Sequence, residues 1–423
     1  MNVSLNWLKE FVDITRSPDE LAQDLTMLGL EIEAIERPGE GISNVFVGHI
    51  LEIRKHPDAD KLVVCKTDVG QGEPLQIICG ATNMKEGDLV PTAVVGATLP
   101  GDFKITRRKM RGLESFGMMC SARELGMGKD HEGLLILPAD FPIGQDVLPL
   151  LGLDDVVYEI EVTPNRGDWA SMIGVARELA ALYGSPLRIP NITLNESGEE
   201  ARTLSSVTID NPELCARYIG RVLTDVKIGP SPQWLAQRLT NAGQRPINNV
   251  VDITNLVLLE TGHPLHAFDY DKLLVNKIVI RCAKQGETLK TIDEQIRPLD
   301  PAMLVIADAQ NPVAVAGVMG GFDSEVSSGT TRIFLESAFF DPSSVRKTSR
   351  KLGMHTEASA RFQRGADPEM ARYAVDRAAA LMQELAGATV SRGVIDEYPK
   401  PLGGRGQSSL RSKPYAARRV RRW

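Results

Sequence analysis

Cysteine is scarce in this sequence, and the few thiols are scattered. The 423 residues include five cysteines, which never form a CxxC pair and lie at Cys65, Cys79, Cys120, Cys215 and Cys282. Such spacing argues against a disulfide scaffold and offers no zinc site. We interpret the five residues as buried free thiols in a reducing compartment.

Long apolar runs and targeting signals are also missing. No run approaches the roughly 20 apolar residues that span a bilayer. Met1 to Glu10 lack the basic-then-apolar pattern of a signal peptide. With 43% hydrophobic and 24% charged residues, the composition is typical of a globular protein. We therefore expect a cytoplasmic protein with no membrane segment.

An excess of positive charge is absent from most of the chain. The net charge is −7, but residues 403–423 hold seven Lys or Arg and no acid, so residues 1–402 carry −14. An acidic body is not typical of a bulk nucleic-acid binder, and any RNA contact must come from local patches. The Gly-, Ser- and Arg-rich residues 403–423 are predicted to be a basic, disordered tail.

Three or so domains are expected from the length of the chain. Ser17 to Glu20 form a capping box with a proline at the first helical position, and Leu30 to Ile35 alternate as a strand does. From about residue 45 to 149, short strands recur between Gly and Pro, which predicts a small all-β barrel. From 207 to 398, strands and helices interleave, which predicts an α+β domain after a linker at 186–205.

A candidate site lies between Arg245 and Asp269. An apolar run from Val250 to Leu259 predicts a buried helix that ends near Gly262. His263 and His266 follow on what we interpret as a short loop, where a rigid element can hold reactive groups. The alternative is that both imidazoles are structural.

Three further strings, at residues 316–321, 334–340 and 355–365, carry candidate chemistry. The glycines of the first lack GxGxxG spacing, so close backbone approach is their expected role. Glu336 lies in an apolar strand, where a carboxylate must be paired or belong to a site. Its alternative role is a salt bridge to Arg332 or Arg346.

A basic cluster lies within the predicted barrel and is interpreted as the only dense one before the tail. Its members are Arg107, Arg108, Lys109 and Arg111. Such a cluster can contact RNA phosphates without reading base sequence, or it can be a solvated hairpin. His56 has Asp58 and Asp60 nearby, but these ligands are too few and too close in sequence to indicate a metal.

Residues 1 to about 402 resemble the bacterial phenylalanyl-tRNA synthetase β subunit. The strings that carry this resemblance are residues 56–62, 78–83, 109–121, 245–269, 316–321, 334–340 and 355–365. The resemblance implies a multidomain α+β fold with an inserted barrel. Residues 1–39 and 152–190 would form a discontinuous α+β domain, and residues 40–151 an OB-fold that binds tRNA. Residues 205–400 would form a B3/B4-like editing domain.

The resemblance also implies roles for individual residues. A pocket for phenylalanine rejects an added hydroxyl poorly, about a hundredfold in comparable cases, so a second site must hydrolyse tyrosyl-tRNA(Phe). Glu336 would sense the hydroxyl, and His266 and Thr356 would orient the ester or the attacking water. Gly320 and Ala358 would shape the pocket. The predicted tRNA-binding residues are Lys61, Arg107, Arg108, Lys109 and Arg111.

The implied whole enzyme is a phenylalanine–tRNA ligase of protein biosynthesis, a heterotetramer of two α and two β subunits that uses ATP and Mg²⁺. Its aminoacylation site would lie on the α subunit, and no metal or cofactor is expected in this chain. After Leu402 the family continues through further domains, including a magnesium-contacting region, so we expect a truncated chain. The alternatives are a tRNA-binding scaffold without hydrolytic activity and a free-standing nucleic-acid-binding protein.

Overall fold

A computed structural model describes residues 1–128 and 132–402 of the chain. The predicted disordered tail, residues 403–423, lies outside the described residues. The first elements are β1 (Asn2–Ser4), α1 (Leu5–Phe11), α2 (Pro18–Met27) and β2 (Glu31–Glu36). Ser4 caps α1 and accepts from the Trp7 N–H, while Ser17 and Glu20 cap each other across the start of α2. The predicted capping box is therefore confirmed.

A strand-rich segment follows. Its elements are β3 (Ser43–Lys55), β4 (Val63–Asp68), β5 (Leu75–Cys79), β6 (Leu89–Leu99), β7 (Phe103–Lys104), β8 (Arg108–Met110), β9 (Leu113–Ser115), β10 (Gly117–Met119) and the helix α3 (Val147–Leu150). The main sheet has the order β10-β6-β3-β4-β5, with β7 on β6. A single bridge also joins Leu137 to Leu89.

The pairing in this segment forms an open path. Within residues 1–128 and 132–402, no pair of named strands joins β5 to β10. The two edges nevertheless approach each other, because the Phe116 N–H just before β10 donates to the Gln76 carbonyl of β5 at 2.9 Å. The structure thus shows a curved antiparallel sheet rather than a barrel closed by strand pairing.

The chain then returns to its beginning through β11 (Val157–Glu161) and α4 (Met172–Tyr183). Strand β11 lies between β1 and β2 in one antiparallel sheet, so segments on both sides of the strand-rich region pair directly. Helix α4 is capped by Ser171, which accepts from the Gly174 N–H. Just before this helix, Asp168 lies in a 3-10 turn and pairs with Arg166.

The remaining residues build two sheets and a helical layer. The elements are β12 (Glu196–Glu200), α5 (Ala201–Leu204), β13 (Ser206–Ile209), β14 (Cys215–Thr224), α6 (Gln233–Asn241), α7 (Asn249–Thr261), β15 (Leu265–Asp269), β16 (Lys277–Cys282), β17 (Thr288–Lys290), β18 (Ile296–Pro298), β19 (Leu304–Ala307), β20 (Pro312–Val315), β21 (Met319–Gly320), β22 (Ile333–Phe340), α8 (Pro342–Leu352), α9 (Glu357–Phe362), α10 (Met370–Leu385), β23 (Thr389–Arg392) and β24 (Ile395–Glu397). The sheet orders are β12-β23-β14-β22-β15, with β24 on β14, and β13-β16-β19-β20-β21. The predicted linker at 186–205 is partly wrong, since β12 pairs in parallel with β23.

The buried side chains divide into distinct cores. One core joins Trp7, Leu8 and Trp169 of the first sheet and its helices to Val257 of α7 and Leu335 of β22. A second lies under the two sheets of residues 205–400, and two smaller ones fill the strand-rich segment. In the described part of the chain, no helix is long and apolar enough to cross a membrane.

Candidate functional site

Helix α7 leads the chain into the candidate site. The Asn248 side chain caps it by accepting from the N–H groups of Val250 and Val251, and Gly262 ends it with a φ of 75°. This left-handed conformation suits glycine, as the sequence predicted. His263 and Pro264 form a short loop, as predicted, but Leu265–Asp269 form β15, because they pair with β22 along their length. His266 therefore lies on a strand within a sheet, which corrects the predicted loop.

The pairing of β15 with β22 places His266 directly opposite Glu336. Side chains of directly paired residues lie on the same face of a sheet, with Cβ atoms roughly 5 Å apart. Both line a cavity of about 330 Å³. The other three predicted site residues also line it, namely Gly320, Thr356 and Ala358. Most of the remaining lining is apolar, including Leu258, Val318 and Phe362.

The Glu336 carboxyl is buried and pairs with no cation of the described residues. Its side chain is 6% exposed, and its Oε2 accepts a hydrogen bond from the Tyr218 hydroxyl at 3.0 Å. Burial raises the pKa of Glu336 to about 8, so the carboxyl is mostly neutral at pH 7. The alternative of a salt bridge to Arg332 or Arg346 is wrong, since Arg332 pairs with Asp271 and Arg346 makes no ion pair with any residue in the described ranges.

Burial likewise keeps the His266 imidazole neutral, because it lowers the pKa to about 4. The ring packs edge-on against Phe268, with 4.4 Å between ring centroids. Its Nε2 has no hydrogen-bond partner within the described residues. A Cβ atom at Gly320 would lie 2.5 Å from Cε1 of His266, so only glycine leaves room for this ring. The predicted close approach of the glycine run has this physical cause.

The Thr356 hydroxyl is largely committed to the protein. It caps α9 by accepting from the Ser359 N–H at 3.1 Å and donates to the Val318 carbonyl at 2.9 Å. A hydroxyl has one proton and two lone pairs, so one lone pair remains for a ligand. Thr356 can therefore accept a hydrogen bond from a ligand but has no proton to donate.

Sequence reasoning missed two residues of this site. Asn255 lines the cavity from α7, on the face that also presents Val251 and Leu258. Helical spacing could have found it, as a lone amide between apolar residues three and four positions away. Tyr218, the partner of Glu336, had no sequence signal because it lies on a distant strand. His263 does not line the cavity, and its buried ring packs against Phe362.

Comparison with known proteins matches two parts of this chain to described domain families. Residues 214–387 match the family model of the B3/4 domain, and residues 45–146 match that of the putative tRNA binding domain. A phenylalanine–tRNA ligase beta subunit of Syntrophotalea carbinolica is 52% identical over 405 residues, which is 96% of this chain and 50% of that protein. The beta subunit of Anaeromyxobacter dehalogenans is 54% identical over 402 residues, 95% of this chain and 50% of that protein.

Over almost its whole length, this chain is similar to the β subunits of phenylalanine–tRNA ligases. It spans about half the length of the curated relatives that it matches. The cavity lies within the matched B3/4 domain, since all five predicted site residues there fall between residues 214 and 387.

The basic cluster lies within residues 45–146, which match the putative tRNA binding domain. Strands β8 and β9 form a hairpin, turned by Arg111 and Gly112 with φ values of 46° and 94°. His56 ties the preceding loop to it, with 3.2 Å between Nε2 and the Met110 carbonyl. The predicted tRNA-binding residues are all exposed on this loop and hairpin, namely Lys61, Arg107, Arg108, Lys109 and Arg111.

One member of the cluster is already engaged. Arg107 pairs with Glu114 across the hairpin and lies over the Phe116 ring, with 5.0 Å to its centroid. Arg108 lies 5.7 Å from the centroid of Phe103, which is itself partly exposed. Cations beside aromatic rings suit a single-stranded nucleic acid, because its bases can stack on the rings while its phosphates pair with the cations. This surface therefore combines exposed cations with nearby aromatic rings, and RNA binding by it stays a prediction.

Proposed function

We propose that this chain forms part of a phenylalanine–tRNA ligase β subunit whose cavity hydrolyses tyrosyl-tRNA(Phe). The observation that carries the proposal is an apolar cavity lined by two residues that are paired across strands, Glu336 and His266. The Glu336 carboxyl is mostly neutral at pH 7, and Nε2 of His266 has no hydrogen-bond partner among the described residues. Polar atoms buried without partners cost free energy, and a ligand that hydrogen-bonds to them removes that cost.

The geometry favours tyrosine over phenylalanine for this reason. The Tyr218 hydroxyl donates to one oxygen of Glu336, so the carboxyl keeps further capacity for the phenol of a substrate. Phenylalanine has the same ring but would leave these polar groups unpaired. Sites built to hydrogen-bond a hydroxyl discriminate strongly against the ring that lacks it. Gly320 and Ala358 are small residues in the wall of this cavity.

Water is the proposed nucleophile. Among the described residues that line the cavity there is neither a serine nor a cysteine, and the hydroxyls of Thr254 and Thr356 donate to backbone carbonyls. The neutral His266 can accept a hydrogen bond from water, as can the remaining lone pair of Thr356. Attack by this water on the ester carbonyl would release tyrosine and the terminal ribose hydroxyl. These residues position the reactants, which is a recognised source of rate enhancement.

The rest of the proposal concerns the whole enzyme. The strand-rich segment would act as an OB-fold that binds tRNA(Phe) through Lys61 and the β8–β9 hairpin. Ligation of phenylalanine with ATP and Mg²⁺ would take place on an α subunit, in a cytoplasmic heterotetramer. This chain's own contribution would then be tRNA binding and removal of the wrong amino acid.

Deacylation of tyrosyl-tRNA(Phe) and phenylalanyl-tRNA(Phe) by the purified chain tests the proposal. We expect faster hydrolysis of the tyrosyl ester. Glu336→Ala should reduce the ratio of the two kcat/KM values by at least about tenfold, because one buried hydrogen bond contributes roughly 1.4 kcal/mol. Glu325→Ala is the matched control, since Glu325 also lines the cavity but lies on another segment.

Two outcomes contradict parts of this proposal. If Glu325→Ala reduced the ratio of the two kcat/KM values as much as Glu336→Ala does, Glu336 would not be the residue that senses the hydroxyl. A chain that is folded by circular dichroism and hydrolyses neither ester would refute hydrolysis. The chain would then be a tRNA-binding or assembly scaffold.

A further inference from the structure

Helix α8 presents a basic face that the sequence interpretation missed. Arg346, Lys347, Arg350 and Lys351 are all exposed, while Val345, Thr348 and Ser349 on the opposite face are buried. The four cations are spread over six residues, and only the helical repeat gathers them on one side. The interpretation of the β8–β9 cluster as the only dense basic cluster before the tail is therefore wrong.

Intramolecular pairing leaves most of this charge unbalanced. Lys351 pairs with Asp300 at 2.5 Å. Arg346, Lys347 and Arg350 make no ion pair or side-chain hydrogen bond with any residue in the described ranges. Like charges four residues apart, as at Arg346 and Arg350, destabilise a helix. An anionic ligand would offset this repulsion.

Helix electrostatics explain only part of the pattern. Cations in the last turn interact favourably with the helix dipole, which accounts for the presence of Arg350 and Lys351 there. Arg346 and Lys347 lie before that turn and gain little from it. The surrounding chain is acidic, with −14 over residues 1–402, so this face differs in sign from the body that carries it.

The position of α8 ties this face to the cavity. Three residues, Gly353 to His355, separate the end of the helix from Thr356, which lines the cavity. Its buried side packs on the cavity wall, since a Cβ atom at Gly317 would lie 3.0 Å from Cγ2 of Val345. The exposed side of α8, which spans about 16 Å, therefore ends close in the chain to this part of the cavity wall.

We propose that Arg346, Lys347 and Arg350 bind phosphates of the unpaired 3′ strand of tRNA, next to the ribose that carries the aminoacyl ester. This inference rests on the proposed function and deepens it, because it names the part of the substrate held outside the cavity. Lys and Arg neutralise phosphates without reading base sequence, and an unpaired strand exposes its phosphates to such a surface. The three side chains thereby direct the terminal ribose towards Thr356.

The test measures RNA binding as a function of salt. The probes are a tRNA(Phe) transcript and the same transcript without its unpaired 3′ nucleotides. For Arg346→Gln/Lys347→Gln/Arg350→Gln, the slope of log K against log salt for the complete transcript should shrink by about two, since each contact with a single strand contributes about 0.7. Affinity at about 0.1 M salt should fall on the order of a hundredfold.

A matched control removes three exposed lysines elsewhere, with Lys85→Gln/Lys227→Gln/Lys284→Gln. It should bind the complete transcript as the original chain does, and the shortened transcript should bind the α8 variant and the original chain equally well. An unchanged salt slope in the α8 variant, an equal loss in the control variant, or an equal loss with the shortened transcript would each overturn the proposal.

A small ester separates this inference from the hydrolytic function. The α8 variant should hydrolyse the tyrosyl ester of adenosine at the original rate, while its KM for tyrosyl-tRNA(Phe) rises by tenfold or more. An equal loss of hydrolysis with both substrates would show that the substitutions act on the cavity, and it would overturn binding of the 3′ strand by α8. If the original chain hydrolyses neither substrate, the proposed function fails, and the binding comparison still decides whether α8 holds the 3′ strand.

Discussion

At the scale of single residues, the site combines two titratable groups that burial holds neutral. Glu336 and His266 lie opposite each other on paired strands, and desolvation shifts the pKa of the carboxyl up and that of the imidazole down. The Tyr218 hydroxyl keeps its proton, because burial and the nearby Glu336 raise its pKa well above the ordinary value. A neutral acid and a neutral base together can both donate to and accept from one phenol.

The shifted pKa of Glu336 predicts a pH dependence of stability. The folded value of about 8 lies above the ordinary value of 4.5, so Glu336 stabilises the fold fully below pH 4.5 and loses that contribution as pH rises towards 8. Relative to Glu336→Gln, the original chain should lose up to about 1.4 kcal/mol of unfolding free energy per pH unit across this window. Urea unfolding at several pH values measures the difference.

Titration of the His266 imidazole also changes stability with pH, but in the opposite direction. Its lowered pKa costs stability as pH falls from 6.5 towards 4, and both proteins share that cost. Glu31→Gln, at an exposed carboxyl on β2, is the control and should follow the original chain. Parallel stability curves for the original chain and Glu336→Gln would contradict the buried neutral carboxyl.

At the scale of elements, α9 holds the cavity wall through its cap. Thr356 is the N-cap, and the Arg361 guanidinium at the other end donates to the Ala170 carbonyl near the start of α4 at 3.0 Å. The helix is therefore fixed at both ends, one by a local cap and the other by a distant segment. Ala358 gets its position in the cavity from these two attachments.

The commitment of the Thr356 hydroxyl to α9 predicts a graded response to substitution. Thr356→Val removes the cap and should cost about 1 kcal/mol of stability. Hydrolysis should fall about tenfold to a hundredfold, because a misplaced wall weakens positioning without removing a nucleophile. Thr356→Ser keeps the hydroxyl and should stay within about threefold. Complete loss with valine at unchanged stability would indicate direct chemistry by the threonine.

At the scale of the whole molecule, one core extends across segments that the sequence treats as separate. Leu8 of α1 and Trp169 near α4 pack in the same cluster as Val257 of α7. Residues of the strand-rich segment, such as Ile50, belong to a different cluster. The candidate site therefore depends on the first 40 residues for its support, although none of them lines the cavity.

Amide hydrogen exchange of variants with a shortened core side chain tests this organisation. Leu8→Ala should destabilise the shared core by about 2–5 kcal/mol and speed amide exchange in α7 as well as in α1. Ile50→Ala makes a comparable change in the separate core, and its effect should stay within residues 43–151. Faster exchange in α1 alone after Leu8→Ala would show that the two segments unfold independently.

The sequence by itself determined the features that depend on neighbouring residues. The capping box at Ser17 and Glu20, the run of α7 and its end at Gly262 follow from side chains and backbone groups a few residues apart. The strings that carry the family resemblance also indicated five residues that line one cavity.

Only the tertiary structure decided the features that depend on distant partners. His266 is on a strand because β22, some seventy residues later, supplies its hydrogen bonds, and β12 forms because β23 offers an edge. The partner of Glu336 is Tyr218, more than a hundred residues earlier, rather than an arginine nearby. Local pattern carries no information about which remote strand will satisfy a backbone or fill a cavity, since that choice minimises unpaired polar groups and unburied apolar surface over the whole chain.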